Sequence, residues 1–337
     1  MRAGLLHRAL ARLGPVKTVV VPVYGSVGHE AGEDMGDDDL TVVAIDNAVA
    51  SVAGIVGHAE RVVVMREYLA PFLDTVLHRD GRPVCVLDVD DIESSTRRQF
   101  GDREGAEPYE ALERHYLPQF DHVLVCSEDD ARQLRDRFGV RALLVPNAVD
   151  VPARTGSVPA RWDLLFVANL SYEPNVEAAR WLCADVLPHL EGARAALVGL
   201  DPVPEVVALG SDDVFVSGTV PDVAPYYAAS RVVVVPLHAG GGTSIKVLEA
   251  FAHRRPVVAT TVGGRGLPTR HGEQLLVADD AAAFAAACRQ VLDDPGLADR
   301  LADAGAALVH QRFTIDHVSG FLAGALNQPE SRSAGDR

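Results

Sequence analysis

Arg231-Val-Val-Val-Val-Pro-Leu-His-Ala-Gly240-Gly-Gly-Thr-Ser-Ile-Lys-Val-Leu-Glu-Ala250 decides the fold. Its valine run reads as a strand buried on both faces, as in a parallel sheet lying between layers of helices. The strand ends at Pro236 or Leu237. Three glycines make the turn, and Thr243 or Ser244 is a natural N-cap for a helix reaching about His253. The unpaired N–H groups of such a helix start, with roughly half a positive charge, suit a phosphate. Glycine removes the side chain that would keep the ligand off the backbone. Thr243, Lys246, Glu249 and His253 recur every three or four residues and share one helix face. Lys246 can add a point charge to a diphosphate, and Glu249, one turn deeper, can accept hydrogen bonds from a ribose diol. Ile245, Val247, Leu248 and Phe251 are left to pack the helix on the sheet. A plain tight turn followed by a solvated ion pair is the bland alternative. The strand before, the cap, the lysine and the apolar run Pro256–Thr260 after it favour binding. Neither the Walker spacing nor a G-x-G-x-x-G fingerprint is present, which disfavours a nicotinamide enzyme.

Outward from this unit the same alternation fills the chain. Apolar runs occur at Thr18–Val23, Thr41–Ile45, Arg61–Val64, Val84–Leu87, His122–Cys126 and Ala142–Val145. After a break they resume at Leu164–Val167, Ala195–Val198, Val214–Val216, Val232–Leu237, Pro256–Thr260 and Leu275–Val277. The class is α/β, with two Rossmann-like halves. The expected division is a first domain over 1–150, a proline- and glycine-bearing linker over 151–161 and a second domain over 162–312. A helix over 313–326 and a polar, disordered tail over 327–337 complete it.

Length and charge narrow the partners. A chain of 337 residues, 48% of them hydrophobic, is too long for one ordinary core. A net charge of −16 argues against a nucleic-acid partner and against general attraction to anionic lipid, though a local basic patch permits peripheral membrane contact. Cys85, Cys126, Cys183 and Cys288 lack paired spacing, which fits neither zinc nor a disulfide framework and suits a reducing cytoplasm. The acidic stretch Gly25–Asp39, with Glu30, Glu33, Asp34 and Asp37–Asp39, reads as a solvated loop, so no metal site is expected. Residues 2–13, with Arg2, Arg8 and Arg12 around Leu5, Leu6, Leu10 and Leu13, read as an amphipathic helix. Arginine is abundant, whereas Lys17 and Lys246 are the only lysines. His29, His238 and His253 show no partner in the sequence.

Several stretches together resemble a family. Phe166-Val-Ala-Asn-Leu-Ser-Tyr-Glu-Pro-Asn175, Gly218-Thr-Val-Pro-Asp-Val-Ala-Pro-Tyr-Tyr227, the Gly240–Ala250 segment, Pro256-Val-Val-Ala-Thr-Thr-Val-Gly-Gly-Arg-Gly266 and His271-Gly-Glu-Gln-Leu-Leu-Val-Ala278 are similar to the donor domain of retaining GT-B glycosyltransferases of family four, in its glycine-rich branch. The likeness runs from about Pro146 to Phe321. It is looser before, where Leu87-Asp-Val-Asp-Asp-Ile-Glu-Ser94 and Cys126-Ser127-Glu128 carry it.

The resemblance implies two Rossmann-like domains facing a cleft and metal-independent transfer of a hexose-like sugar, with retention, from a nucleoside diphosphate. The diphosphate would meet Gly240, Gly241, Gly242, Thr243 and Lys246, Glu249 the ribose, Val220 the base by its backbone, and Asn169 would line the donor side. No further cofactor is implied. The acceptor, a glycan, a lipid-linked glycan or a small molecule, is open. Asp88, Asp90 and Asp91 follow the run Val84–Leu87, at the strand end where ligands of open α/β sheets bind. Asp90 aligns with a histidine that lies near the transferred sugar in many members, so it joins Lys246 and Glu249 as a catalytic candidate. Asp88, Asp91 and Ser127 are acceptor-side candidates, with Arg66 and Glu67 weaker ones. The alternative for the three aspartates is that Asp91 caps the next helix while Asp88 and Asp90 are solvated.

Three departures qualify the resemblance. Gly241 stands where many members carry a first glutamate. Ala168 and Asn169 stand where a glycine and nearby bases are usual, with Arg180 the nearest base. The chain also opens on what is usually the first helix. That leaves a first domain without its first strand, or a start that is mis-set or belongs to a fragment, which the unpaired ladder of a lost central strand favours. Two rivals stay open: a catalytically silent relative acting as an interaction or sugar-binding module, and a GT-B-like sugar-nucleotide epimerase.

Overall fold

Residues buried on both faces of a sheet must be apolar at every position, and each valine-rich run accordingly forms a strand. The structure is a computed structural model that describes residues 2–21, 40–153 and 158–327. The acidic stretch Gly25–Asp39, His29, part of the linker and the tail beyond 327 lie outside the described residues. The chain divides into two compact units, one of residues 1–148 with 315–337 and one of 149–314.

In the first unit, helix α1 (Arg2–Ala11) precedes strands β1 (Thr18–Val20) and β2 (Leu40–Val42), which pair in parallel as a two-stranded sheet. Helix α2 (Ala48–Val56) leads to a second parallel sheet, β3 (Arg61–Met65), β4 (Val84–Asp88), β5 (His122–Val125) and β6 (Ala142–Leu144), in that order. Helices α3 (Glu93–Gln99), α4 (Arg103–Tyr116) and α5 (Glu128–Phe138) connect its strands. Val19 and Val21 pack against the core of this larger sheet.

The second unit carries β7 (Trp162–Val167), α6 (Glu173–Trp181), β8 (Ala195–Val198), β9 (Val214–Val216) and β10 (Ser230–Val235). After them come α7 (Ile245–Ala252), β11 (Val257–Ala259), β12 (Leu276–Val277), α8 (Ala281–Asp293) and α9 (Pro295–Arg312). Its six parallel strands lie in the order β12-β11-β10-β7-β8-β9. Alternate residues of β7 feed two cores, Leu164 and Phe166 on one face, Leu165 and Val167 on the other. Helix α10 (Ile315–Leu326) then returns to the first unit, where Val318 and Leu322 pack with Leu6 and Ala9 of α1. Among the described residues no helix is long and apolar enough to cross a membrane.

The amphipathic reading of α1 holds for its leucines but not for Arg2, which is buried. Its guanidinium grips Asp88 at the end of β4 through Nε to Oδ2 (2.8 Å) and Nη2 to Oδ1 (2.5 Å). It also donates to the Asn147 side chain (2.8 Å) and the Val145 carbonyl (3.0 Å). Burial disfavours the guanidinium charge, but the bidentate partner outweighs it and Arg2 is held more firmly protonated than usual. Removing one member of such a pair strands the other, at a cost of about 3–5 kcal/mol. Arg2→Met should lower unfolding stability in urea by about that much. A loss below about 1 kcal/mol, as for an exposed pair, would contradict the account.

Candidate functional site

The strand order reverses once. From β7 the chain moves outward through β8 to β9, then returns to place β10 on the other side of β7 and continues to β11. The loops leaving β7 and β10 therefore diverge from adjacent strand ends and open a crevice, the usual ligand position in doubly wound sheets. The residues at these two ends are Ala168 and Asn169, and the glycine loop before α7.

Gly240 (φ 148°) and Gly242 (φ 64°) take conformations that side chains resist. The loop is braced from behind by Gly266, itself at φ 78°, where an added Cβ would lie 2.5 Å from the Gly242 carbonyl oxygen and 3.0 Å from Thr243 Cα. The Ser244 amide donates to the Arg265 carbonyl (3.4 Å), and the Thr260 hydroxyl donates to the Leu237 carbonyl. Ser244 holds the N-cap position, one of the two residues expected there, but its side chain makes no capping hydrogen bond. The Ser244 hydroxyl is buried without a hydrogen-bond partner among the described residues, and Thr243 is buried beside it.

Val247, Leu248 and Phe251 are fully buried and turn the opposite face of α7, with Lys246 and Glu249, toward partial exposure. Lys246 forms no ion pair within 4.0 Å among the described residues. Burial lowers its pKa, with Glu249 opposing. Burial likewise raises the Glu249 pKa, against a hydrogen bond from the Tyr227 hydroxyl (3.3 Å) and the charge of Lys246. His253 gains a partner the sequence does not show, stacking on Tyr227 with ring centroids 4.3 Å apart and planes 8° from parallel. His238 packs edge-on against Trp181.

Asn169 is exposed at the end of β7, where its Oδ1 accepts from the Ser171 amide (2.9 Å) and hydroxyl (2.7 Å). Arg180 is engaged by Glu173 (3.1 Å) and Glu205 (3.7 Å). Val220 follows β9, half-buried against the second-unit core.

In the first unit the ends of β3, β4 and β5 gather a second cluster. Asp90 (φ 55°) receives Arg66 (φ 73°) at 2.8 Å and lies 3.7 Å from Arg2. Asp91 does not cap α3, whose N-cap is Ile92. It accepts from the Thr96 hydroxyl (2.9 Å), and burial pushes its pKa up to about 6. Asp88 is neither solvated nor placed to meet an acceptor, because it is fully buried with both oxygens on Arg2. Ser127 is also withdrawn from an acceptor role. It caps α5, accepting from the Asp130 amide (3.1 Å) and donating to the Asp130 carboxylate (2.5 Å). The spacing Ser127-Glu-Asp-Asp130 carries that signal, a serine followed three residues later by a carboxylate at a helix start. Among the described residues no group of three His, Cys, Asp or Glu is placed to hold a metal.

A six-stranded doubly wound sheet with a glycine loop and a helix start at its switch point has the arrangement in which such folds bind ligands. Residues 161–294 match the family model described as Glycosyl transferases group 1. A D-inositol 3-phosphate glycosyltransferase of Geodermatophilus obscurus is 31% identical over 214 residues, which are 53% of this chain and 47% of the relative. The chain spans about half the length, or less, of the curated relatives it matches. A sucrose-phosphate synthase of Thermosynechococcus elongatus has a similar structure, with a TM-score of 0.72 at 19% identity over 96% of this chain and 91% of that one. The structure of Anabaena HepE in complex with UDP and glucose gives 0.68 at 16% identity over 86% of each. These likenesses show the fold, which is that of GT-B glycosyltransferases.

Two outcomes follow from the geometry. Gly266→Ala should displace the glycine loop and weaken nucleoside diphosphate binding at least about tenfold, read by calorimetry, since the clash is with backbone. Parent-like affinity would show that the brace is not needed. The second concerns Glu67, fully buried with neither carboxylate oxygen hydrogen-bonded among the described residues. Burial, reinforced by Glu113 and Glu93 and opposed by its own amide and Arg66, pushes its pKa up to about 8 from 4.5. A raised carboxyl pKa gives stability that is whole below the unfolded value and lost as pH climbs through the folded one. Glu67→Gln should therefore gain on the parent between about pH 5 and about pH 9 in urea unfolding. A pH-independent difference would contradict the buried, protonated carboxyl.

Proposed function

We propose that the chain transfers a hexose-like sugar from a nucleoside-diphosphate sugar to an acceptor, with retention at the anomeric carbon and without a metal or further cofactor. The observation that carries this reading is the start of α7 at the switch point, behind three glycines and with Lys246 in its first turn. The amides of Gly240–Thr243 and Lys246 hold the diphosphate, Glu249 holds the ribose, backbone near Val220 meets the base, and Asn169 lines the other side. HepE, which shares the fold, was solved with UDP, which makes UDP the natural first probe.

Loss of the diphosphate develops negative charge on its oxygens and positive charge at the anomeric carbon. Preorganised amides and one ammonium stabilise the first without reorganising. Burial depresses the Lys246 pKa before a ligand arrives, and a diphosphate raises it again by supplying the missing counter-charge. In the first unit, Asp90 is the partly exposed carboxylate left to meet a sugar hydroxyl, with Asp91 beside it on the acceptor side. Asp88 acts there only through Arg2, whose guanidinium lies 3.7 Å from Asp90, and Ser127 caps α5. The acceptor, a glycan, lipid-linked glycan or small molecule, is met in the cytoplasm, with peripheral membrane contact for a lipid-linked one.

Lys246→Ala and Glu249→Ala should each lower UDP affinity by about tenfold or more, as expected for lost hydrogen bonds to charged groups. The melting temperature should stay near the parent's in Lys246→Ala and fall in Glu249→Ala, which strands the buried Tyr227 hydroxyl at a cost of about 1–3 kcal/mol. Calorimetry and thermal unfolding on the same samples check this. Parent-like affinity in both variants would remove the donor-site assignment.

A further inference from the structure

Tyr227 lies in the single helical turn Ala224–Ala228 that leads into β10, and its side chain is fully buried. A buried phenol needs a partner for its hydroxyl. The partner is on α7, where Glu249 Oε2 accepts from the Tyr227 hydroxyl at 3.3 Å. One face of the ring is covered by His253 in a nearly parallel stack, so the phenol has little freedom to swing away. The other carboxylate oxygen, Oε1, accepts no hydrogen bond among the described residues and is not sealed from solvent. Glu249 thus has one committed oxygen and one open one, and its carboxylate plane is set by a group outside its own helix.

We propose that Tyr227 is a positioning residue that fixes the Glu249 carboxylate with Oε1 open to a ribose diol, and so sets the preference for ribonucleotide over deoxyribonucleotide donors. This rests on Glu249 being the ribose contact. The carboxyl torsion is broad and roughly two-fold, so without Tyr227 the two oxygens exchange and the plane is free. The same hydrogen bond favours the ionised carboxylate, the better acceptor, against the burial that works toward neutralising it. Lys246 on the same helix and Tyr227 from the preceding turn are the titratable groups acting on Glu249. Behind the phenol, His253 is influenced by Arg255 and Asp222.

Tyr227→Phe keeps the ring and its stack and removes only the hydroxyl, so the full-length variant should fold. Two measurements test it. The first is a carbon-13 NMR titration of the Glu249 carboxyl, assigned with Glu249→Gln and run without nucleotide. The second compares UDP with 2′-deoxy-UDP by calorimetry. The titration midpoint should rise in Tyr227→Phe, and the preference for UDP should narrow by about three- to tenfold with 2′-deoxy-UDP affinity unchanged. A folded variant with the parent's midpoint and the parent's preference overturns the proposal. If the parent itself binds UDP and 2′-deoxy-UDP equally, the ribose reading of Glu249 and the specificity claim both fall. The ligand-free titration still decides separately whether Tyr227 governs the carboxyl.

Discussion

The second unit depends on one topological constraint, the reversal of strand order between β7 and β10. Parallel strands cannot be joined by tight hairpins, so each connection must cross a face of the sheet and begin at a strand's carboxyl end. Where two neighbouring strands send their connections in opposite directions, those ends are left uncovered. The glycine loop, the start of α7 and the Asn169 turn all occupy that place. Gly242 and Gly266 meet there backbone to backbone, which fixes the loop without any side chain filling the crevice.

Electrostatics follow from that geometry. A chain of net charge −16 has little general attraction for a diphosphate. The positive potential at the switch point comes from a helix terminus and one lysine whose own charge is disfavoured by burial. Arg180, the first arginine after the end of β7, is held by two glutamates. On the proposed reading a diphosphate is held locally, by short-range contacts with oriented amides rather than by a charged surface.

Much of this was legible in the residue order. Strands covered on both faces leave contiguous apolar runs, so each strand among the described residues overlaps an expected stretch, with ends that differ by up to three residues. The helical period alone puts Lys246 and Glu249 on one face. What escaped were contacts between residues distant in sequence. Arg2 looks like one polar position of an amphipathic helix, and only the packing of α1 against β4 brings it to Asp88. Tyr227 is one tyrosine of a Tyr-Tyr pair until β10 carries the chain past it to Glu249. Glu67 sits between an arginine and a tyrosine in sequence, with nothing local to show that its carboxyl is buried. Ser127 is different in kind. Its capping signal, a carboxylate three residues on, is local and stands in the sequence itself.

The central claim is that the glycine loop and the first turn of α7 are a diphosphate site. Amide NMR of the nitrogen-15-labelled chain during titration with UDP tests it at the residues concerned. The account predicts saturable shifts that are largest over Gly240–Lys246, with smaller ones at Asn169–Ser171. Saturable binding that leaves the Gly240–Lys246 amides unmoved while shifting another surface would contradict it.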